Sequence, residues 1–424
     1  MESAREIAEE AWLVKPGTPV PDPFGRPGRA FEVVPGIALV SGFGLSIGVQ
    51  TGDGLVIVDT SGRNHGKTVV AAMREWDSSP IKNVIYTHGH FDHIGGMPEY
   101  DADAERRGFP RPHVIAQENL PPRLERYART AGYNATINAR QFMSLPAPTP
   151  QMIANFGSAR MPDETYRDRH TFEQGGVTFE LRHGKGETDD HTWVWIPQHK
   201  AICAGDFFIW RCPNAGNPQK VQRYPVEWAV ALREMAAMGA EVFIPSHGVP
   251  IFGNDRITRA LQEAAELLET LVEQSLELMN RGARLDELIH AVTAPSHLLD
   301  RPYLRPVYDE PEFIVRNIWR MYAGWYDGNP ANLKPAPEAE VAREFAALAG
   351  GTQKLAERAD ELASAGNLKV ACHMIETAAL AEPGDPGIRA MRARILRARA
   401  ESEHSLMAQG IFNAAAAESE RAQQ

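Results

Sequence analysis

One short stretch decides the fold of this chain: Thr87-His88-Gly89-His90-Phe91-Asp92-His93. It follows the β-type run Val84–Tyr86 and brings three imidazoles and one carboxylate close together in sequence. A corner between strand and loop would let His88 and His90, which have the same parity, converge on one metal ion. Asp92 and His93 would then turn towards a second ion. Because imidazole and carboxylate are ligands for zinc, iron or manganese, the stretch predicts a site for metals of this class.

Later positions could complete a centre with two metals. Each lies near the end of a β-type run, and they are Glu187, His191, Asp206 and His247. Two ions ~3.5–4 Å apart at one sheet edge lower the pKa of a bridging water and stabilise charge on a leaving oxygen. Alone, Asp206 could cap a turn and His247 could be a core histidine, but beside the first stretch we expect both to bind metal. We expect His191 to hydrogen-bond a ligand rather than to be one.

The first half of the sequence alternates between β-type and helical patterns. The runs Ser46–Gln50 and Leu55–Asp59 flank Gly52-Asp53-Gly54, a turn that predicts a β-hairpin. A helix from about Gly66 to Trp76 then leads into the strand before the metal stretch. This alternation predicts a layered α/β domain. Beyond Asp255, apolar residues recur at helical spacing, which predicts an all-helical second part.

Composition narrows the class of protein. The 424 residues are enough for two or three domains, and 43% hydrophobic and 23% charged residues are typical of a soluble globular protein. The net charge of −11 argues against a nucleic-acid partner. No apolar run is long enough to cross a membrane, and the acidic N-terminus lacks the pattern of a signal peptide. Cys203, Cys212 and Cys372 give no disulfide framework. We therefore expect a soluble, cytoplasmic protein.

These residues carry a resemblance to a known family. The stretch Thr87–His93 resembles the signature of the metallo-β-lactamase superfamily, and the order of the later loops fits it. Most of that superfamily has a His at the position of Glu187, and a Glu there resembles the alkylsulfatase branch. The segment Trp325–Leu333, W-Y-D-G-N-P-A-N-L, resembles the hallmark of the alkylsulfatase dimerisation domain. The two motifs together place the resemblance over residues 31–415.

The resemblance implies an α/β fold, an αββα sandwich, followed by an all-α dimerisation domain. We accordingly divide the chain into an N-terminal arm, a catalytic domain, a helical domain and a tail, at residues 1–30, 31–254, 255–415 and 416–424. The arm contains a Pro/Gly-rich segment, Lys15 to Gly28. The helical domain implies a homodimer. The chain ends where longer family members continue into a lipid-carrier-like domain, so we expect a substrate other than a long-chain detergent.

The resemblance also implies a ligand set for two zinc ions, with iron or manganese as alternatives. One ion would take His88, His90 and Glu187, and the other would take Asp92, His93 and His247. Asp206 would bridge them, and Asp92 and Asp206 would be the catalytic carboxylates. The metal-bound water would attack a sulfate ester, or would act as the base for the attacking water.

Two departures from the family concern the substrate. The bridging residue, often Glu in alkylsulfatases, is Asp206 here, which shortens the side chain and keeps its charge. Asn214 lies where the family has a sulfate-contacting Asn, but the family's Arg just after it has no plain counterpart. A sulfate needs a charge-assisted partner, and Arg211, Lys220 or Arg223 could provide it or could be solvated surface charges. Tyr326 could also reach the substrate pocket.

The leading hypothesis is a metal-dependent hydrolase that cleaves sulfate esters of small or medium alkyl groups. The missing Arg motivates one alternative, a hydrolase of the same fold that acts on a lactone, thioester or phosphoester. A second alternative is a non-catalytic interaction protein on a retired hydrolase fold. The expected partners are a small-molecule ester and a second copy of the chain, with no nucleic acid and no membrane.

Overall fold

The computed structural model describes residues 3–15, 18 and 28–421. Ala4–Trp12 forms a helix that Ser3 and Glu6 cap through reciprocal hydrogen bonds. The predicted arm between Lys15 and Gly28 lies largely outside the described residues. Within the described chain, no helix is both long enough and apolar enough to cross a membrane.

The first sheet begins with an antiparallel meander and ends in parallel strands. Its strands follow one another in space as in sequence: β1 Ala30–Val34, β2 Ile37–Ser41, β3 Leu45–Thr51, β4 Gly54–Val58, β5 Ile81–Ile85, β6 His113–Gln117 and β7 Glu164–Tyr166. Strands β1 to β4 pair antiparallel, and β4 to β7 pair parallel. The predicted hairpin is confirmed, because β3 and β4 join through the turn at Gly52-Asp53.

The second sheet is also mixed. Its strands are β8 Arg169–Gln174, β9 Val177–His183, β10 Thr192–Ile196, β11 Ala201–Ile209, β12 Val242–His247 and β13 Ile251–Phe252. They lie in the order β13-β12-β11-β10-β9-β8, and only β11 and β12 pair parallel among these neighbours. The two mixed sheets confirm the predicted α/β fold class.

Helices cover the sheets and make up the last third of the chain. In chain order they are α1 Ala4–Trp12, α2 Gly66–Trp76, α3 Phe91–Ile94, α4 Met97–Arg107, α5 Leu120–Arg129, α6 Ala131–Met143, α7 Pro150–Phe156, α8 Pro225–Ala236, α9 Asn254–Asn280, α10 Leu285–Ala291, α11 Ser296–Leu299, α12 Pro311–Ala323, α13 Glu338–Ala349, α14 Thr352–Ser364, α15 Leu368–Ala381, α16 Pro386–Glu401 and α17 Leu406–Arg421. The helix predicted from Gly66 to Trp76 is confirmed as α2.

Each sheet has helices on one face. Alternate residues of β4 and β5, such as Leu55, Ile57 and Val84, form a buried cluster with apolar residues of α2, α4 and α5. On the second sheet, Trp228 of α8 donates its indole N–H to the Phe207 carbonyl of β11 at 2.8 Å. This arrangement positions strand ends rather than strand faces at the site described below.

The chain forms two compact units. The first comprises residues 1–130, 155–282 and 288–322, and therefore includes both sheets and α9. The second comprises residues 131–154, 283–287 and 323–424. Its core consists largely of small side chains on α13 to α16, such as Ala356, Ala359 and Ala371, which let the helices pack closely. The all-helical second part predicted from the sequence is confirmed.

Candidate metal centre

The motif Thr87–His90 turns the chain at the end of β5. There the Thr87 backbone N–H donates to Asp59 Oδ1 at 2.8 Å, and the Thr87 hydroxyl donates to Asp59 Oδ2 at 2.8 Å. Asp59 itself follows the parallel neighbour β4 and has a positive φ of 58°, which Asp tolerates better than most residues. The ends of two parallel strands thus hold the first ligand residues in place, as the predicted strand-to-loop corner requires.

The second half of the motif differs from the predicted loop. Residues Phe91–Ile94 form one helical turn, α3, in which the His93 and Ile94 N–H groups both donate to the His90 carbonyl. The turn lets Asp92 and His93 approach His247 of β12. Gly44 permits the close packing here, because a Cβ at this position would lie 2.5 Å from the Asp92 carbonyl oxygen.

The structure brings all seven predicted ligand residues into two adjoining groups. Within each group, one potential ligand atom per residue lies within 4.8 Å of the others. We call His88, His90, Glu187 and Asp206 the first group, and Asp92, His93 and His247 the second group. Apart from Asp206, which the resemblance implied as a bridge, the memberships correspond to the two implied ligand sets, and metal binding by these residues stays a prediction.

Asp206 lies between the two groups. Its Oδ2 is 3.9 Å from His88 Nε2 in the first group and 3.5 Å from His93 Nε2 in the second. Its Oδ1 is 3.6 Å from His247 Nε2. Asp206 was expected near the end of a β-type run, but it lies within β11, which continues to Ile209. Gly205, with φ of 57°, shifts the register against β12 and lets the strand continue past Asp206.

The donor atoms of both groups fit divalent cations. Burial lowers the pKa of His88 and His90 well below the usual value, so both imidazoles are neutral and offer lone pairs. Three buried atoms, His93 Nε2, Glu187 Oε2 and Asp206 Oδ1, have no hydrogen-bond partner among the described residues. A cation would satisfy such atoms, because buried polar atoms without a partner are costly. Imidazole and carboxylate donors suit zinc, manganese and iron.

Asp59 supports the second group, a role that our sequence reasoning missed. Its Oδ2 lies 2.9 Å from His93 Nδ1, which fixes the imidazole with Nε2 directed towards Asp92 and Asp206. The Ser246 hydroxyl donates to the same oxygen at 3.1 Å. A carboxylate behind a ligating histidine sets its tautomer and raises its basicity. The signal available in the sequence was an Asp at the end of a buried strand beside the motif.

His191 supports the first group. It stacks between His88 and Phe207, with ring centroids 4.3 and 4.2 Å apart. Its Nε2 accepts the Asp206 backbone N–H at 3.0 Å, and burial lowers its pKa to about 3. His191 is absent from both ligand groups, which agrees with the role predicted for it as a hydrogen-bond partner of a ligand.

Two residues of the segment 211–224 hold Glu187. The Asn214 amide donates to Glu187 Oε1, and the Arg223 guanidinium forms an ion pair with the same oxygen, with Nη1 at 2.5 Å. Arg223 Nη1 also donates to the Glu187 backbone carbonyl at 2.9 Å. The predicted alternative of a solvated surface charge is therefore wrong for Arg223, whose side chain is 2% exposed.

The other predicted substrate contacts lie in different surroundings. Lys220 is half-buried, and burial lowers its pKa to about 8 although the nearby Asp92 carboxylate opposes the shift. Arg211 donates to the Trp210 carbonyl at 2.5 Å. Tyr326 belongs to the second compact unit. The substrate-binding roles of Asn214, Arg211, Lys220, Arg223 and Tyr326 stay predictions.

The segment 211–224 is itself fixed by residues just before and within α12. Asp309 Oδ2 accepts the backbone N–H groups of Gly216 at 2.5 Å and Asn217 at 3.2 Å. Asn317 accepts the Arg223 N–H at 3.2 Å and donates to the Arg223 carbonyl at 3.0 Å. These contacts place Asn214 and Arg223 against Glu187. Nothing in the local sequence of Asp309 or Asn317 indicated this role.

Family comparisons agree with this geometry. Residues 41–247 match the model of the metallo-β-lactamase superfamily, and residues 284–422 match that of alkyl sulfatase dimerisation. The chain is therefore similar to the metallo-β-lactamase superfamily over residues 41–247. The second match confirms the predicted combination of this fold with an alkylsulfatase-type dimerisation domain.

Several curated proteins are similar to this chain over most of its length. A linear primary-alkylsulfatase of Pseudomonas sp. (strain ATCC 19151) is 27% identical over 82% of the chain and 69% of the relative. An (R)-specific secondary-alkylsulfatase of Pseudomonas sp. is 27% identical over 86% of the chain, and the chain spans 58% of that relative's length. The alkyl/aryl-sulfatase BDS1 of Saccharomyces cerevisiae is 23% identical over 82% of the chain and 57% of the relative.

A solved structure has the same fold. The stereoselective inverting sec-alkylsulfatase Pisa1 of Pseudomonas sp. superimposes with a TM-score of 0.79 at 23% identity, over 91% of this chain and 64% of the other. This likeness confirms the predicted sandwich followed by helices. Together with the relatives, the superfamily match supports the prediction of a metal-dependent hydrolase.

Proposed function

We propose that this protein hydrolyses sulfate esters of small or medium alkyl groups at a centre of two zinc ions. The observation that carries the proposal is the Asp206 carboxylate, which approaches both ligand groups. The names of the alkylsulfatase relatives support the choice of substrate. The relatives are longer than this chain, so the activity and its substrate are inferred here from the site.

The first group would hold one ion through His88, His90 and Glu187. The second would hold another through Asp92, His93 and His247, with Asp206 bridging. Divalent cations bound there supply Lewis acidity and lower the pKa of a water close to neutrality. The residues of the chain fix the geometry, since Asp59 orients His93 and Thr87 orients His88 from behind. Asp92 and Asp206 are the carboxylates placed to orient the attacking water.

The reaction consumes one water and one alkyl sulfate, and it yields an alcohol and hydrogen sulfate. Sulfate esters are anions, so their binding requires a cation beside the metals. We propose Lys220 for this role, because it lies close enough to Asp92 to feel its charge and is protonated for the most part at neutral pH. Asn214 keeps a second amide hydrogen for the substrate while its first binds Glu187.

Release of inorganic sulfate from a panel of alkyl sulfates tests the proposal. We expect turnover of short and medium chains, its loss after chelation and its recovery on adding zinc. The variant Arg74→Gln, whose ion pair with Asp103 lies away from the metal groups, is a matched control and should keep the activity. Absence of sulfate release, with hydrolysis of a lactone, thioester or phosphoester instead, would establish the alternative substrate class. No hydrolysis of any ester by the zinc-loaded protein would contradict both.

We further propose that the protein works as a homodimer. The match of residues 284–422 to the dimerisation model supports this, as do large apolar side chains on the surface of the second unit. Trp325 is 72% exposed and Leu348 is 84% exposed, so both would be available for contact with a second copy of the chain. Light scattering after gel filtration should give twice the 46.8 kDa chain mass. A monomer at micromolar concentration would contradict the proposal.

A further inference from the structure

Arg223 has an unusual position for an arginine, because it is buried beside a metal ligand rather than exposed to a substrate. Its side chain is 2% exposed, and that of Glu187 is 3% exposed. The guanidinium reaches both the carboxylate and the backbone carbonyl of Glu187 through the same Nη1. Its Nε has no hydrogen-bond partner within the described part of the chain. A substrate could therefore reach the Arg223 guanidinium only by displacing it from Glu187.

The two oxygens of Glu187 have different surroundings. Oε1 accepts from Asn214 and is ion-paired with Arg223, whereas Oε2 is buried and has no hydrogen-bond partner among the residues that the structure describes. Oε1 lies 3.6 Å from His90 Nδ1. One oxygen is therefore occupied by the protein, and the other is left for a cation. Asn317 fixes the Arg223 backbone at both N–H and carbonyl, so the guanidinium is held rather than mobile.

We infer that Arg223 is a counter-cation built into the centre, which stabilises the metal-free first group and weakens its affinity for its ion. The inference rests on the metal centre of the proposed function. A buried carboxylate with no cation is strongly destabilising, and the Arg223 guanidinium compensates the Glu187 charge when no metal is bound. Once an ion binds, the same positive charge repels it. Both effects lower the affinity of the first group.

The charge of Arg223 can be separated from its structural contacts. Arg223→Gln removes the charge and keeps a donor, whereas Arg223→Lys keeps the charge. In Arg223→Gln the penalty of the uncompensated carboxylate falls on the metal-free protein and is relieved when metal binds. A purely structural arginine would instead destabilise the metal-free and metal-loaded proteins equally. Arg74, which is buried and paired with Asp103 Oδ2 at 2.7 Å, provides the matched control Arg74→Gln.

The experiment is a stepwise zinc titration of the full chain against a chromophoric chelator, with melting curves of the metal-free and zinc-saturated forms. Glu187→Gln identifies the binding step of the first group, because it removes a charged ligand from that group alone. We expect Arg223→Gln to tighten this step about tenfold and to widen the difference in Tm between the two forms. Arg223→Lys should bind zinc like the unaltered chain. Arg74→Gln should lower both Tm values equally and leave zinc affinity unchanged.

Unchanged or weaker zinc binding in Arg223→Gln, with two ions still bound by the unaltered chain, would overturn the inference and leave the proposed function standing. Failure of the unaltered chain to bind zinc would overturn both. If Arg223→Gln folds only in the presence of zinc, the result supports the inference, since the metal then replaces the missing cation. If it folds under neither condition, equal Tm losses of Arg223→Lys in the metal-free and zinc-loaded forms would overturn it, and a larger loss in the metal-free form would support it.

Discussion

The two ligand groups share Asp206 but differ in what lies behind them. Behind His93 of the second group is the carboxylate of Asp59, at 2.9 Å. Behind His88 of the first group is the neutral hydroxyl of Thr87, at 3.0 Å, which in turn donates to Asp59. The carboxylate of the first group, Glu187, is paired with the cation of Arg223. A negative charge therefore lies behind a donor of the second group, whereas a positive charge lies beside the Glu187 carboxylate of the first group.

Because of this difference, two similar ligand sets in one fold need not have the same affinity for metal. A carboxylate behind an imidazole increases its donor strength, whereas a cation beside a carboxylate decreases it. The imidazole of His93 illustrates the first effect. Although burial opposes its charged form, the carboxylates of Asp206, Asp92 and Asp59 together raise the pKa of His93 well above the usual value. We therefore expect the second group to fill before the first.

The largest effect should follow from removing the residue that the groups share. Asp206→Ala deletes the carboxylate that approaches His88, His93 and His247, so both ions lose a ligand. Since metal ions contribute several kcal/mol to such reactions, we expect kcat/KM for alkyl sulfate hydrolysis to fall roughly 10³-fold. Metal analysis should find fewer than about one ion per chain after dialysis, where an intact centre holds two.

The conservative variant Asp206→Glu controls for that experiment. It keeps the charge and lengthens the side chain, and we expect it to retain both ions. Retention by Asp206→Ala of one ion at unaltered affinity would show that Asp206 serves a single group. Asp206 would then belong to one group, and the two groups would share no residue.

A smaller effect, larger in the second group than in the first, should follow from Asp59→Asn, because Asp59 contacts His93 directly and His88 only through Thr87. The amide keeps an oxygen near His93 but loses the charge that strengthens the imidazole. We expect the affinity of the second group to fall about 10–100-fold, the range found for partners of metal-ligating histidines. The order of filling should then become less distinct in a stepwise zinc titration.

Asp103→Asn is the matched control for Asp59→Asn. Asp103 is also buried and charge-paired, but its partner is Arg74 in α2, away from the ligands. This variant should lower Tm and leave both zinc affinities unchanged. Equal weakening of both groups by Asp59→Asn would contradict the assignment of Asp59 to the second group.

The proposed sulfate-binding role of Lys220 can be tested through the pH dependence of kcat/KM. Because burial lowers its pKa to about 8, its charge is present at neutral pH and disappears as the pH rises through that value. If this charge binds the sulfate, kcat/KM should fall above pH 8. We expect kcat/KM of Lys220→Met at pH 7 to be about tenfold lower, which is the effect of losing a hydrogen bond to a charged group.

Lys220→Arg separates the charge of Lys220 from other ionisations. Arginine stays protonated to high pH, so the decline of kcat/KM near pH 8 should disappear in this variant. An unchanged pH profile in Lys220→Arg would assign the decline to another group. Hydrolysis of a neutral ester with the same alkyl chain should be insensitive to both substitutions of Lys220.

Sequence reasoning located the ligands because they occur in local motifs. The spacing of His88, His90, Asp92 and His93 is visible in seven residues, and the hairpin and α2 follow from turn residues and periodicity. Glu187, Asp206 and His247 were found from their positions at strand ends together with the family resemblance. Local motifs and motifs shared by a family can both be recognised in a single sequence.

The residues that were missed act across large separations in sequence. Arg223 is 36 positions from the carboxylate that it neutralises, and Ser246 is 187 positions from Asp59. No periodicity links such pairs. The segment between β11 and α8 brings Arg223 to Glu187, and the approach of β12 to the end of β4 brings Ser246 to Asp59. Asp206 was misplaced for a related reason. The pairing of β11 with β12 continues through a register shift at Gly205, which a pattern confined to β11 does not reveal.

The smallest effect should come from Ser246→Ala, which tests how far the support of the second group extends. Ser246 donates to Asp59 Oδ2 at 3.1 Å, and Asp59 in turn holds His93. Loss of one such bond costs about 1 kcal/mol, of which a part reaches the imidazole, so we expect the second group to bind zinc about threefold more weakly. The first group should be unaffected. Ser275→Ala, which removes a buried hydroxyl from α9, should change neither affinity. A loss of tenfold or more in Ser246→Ala, or a loss in the first group, would mean that Ser246 positions His247 directly rather than acting through Asp59.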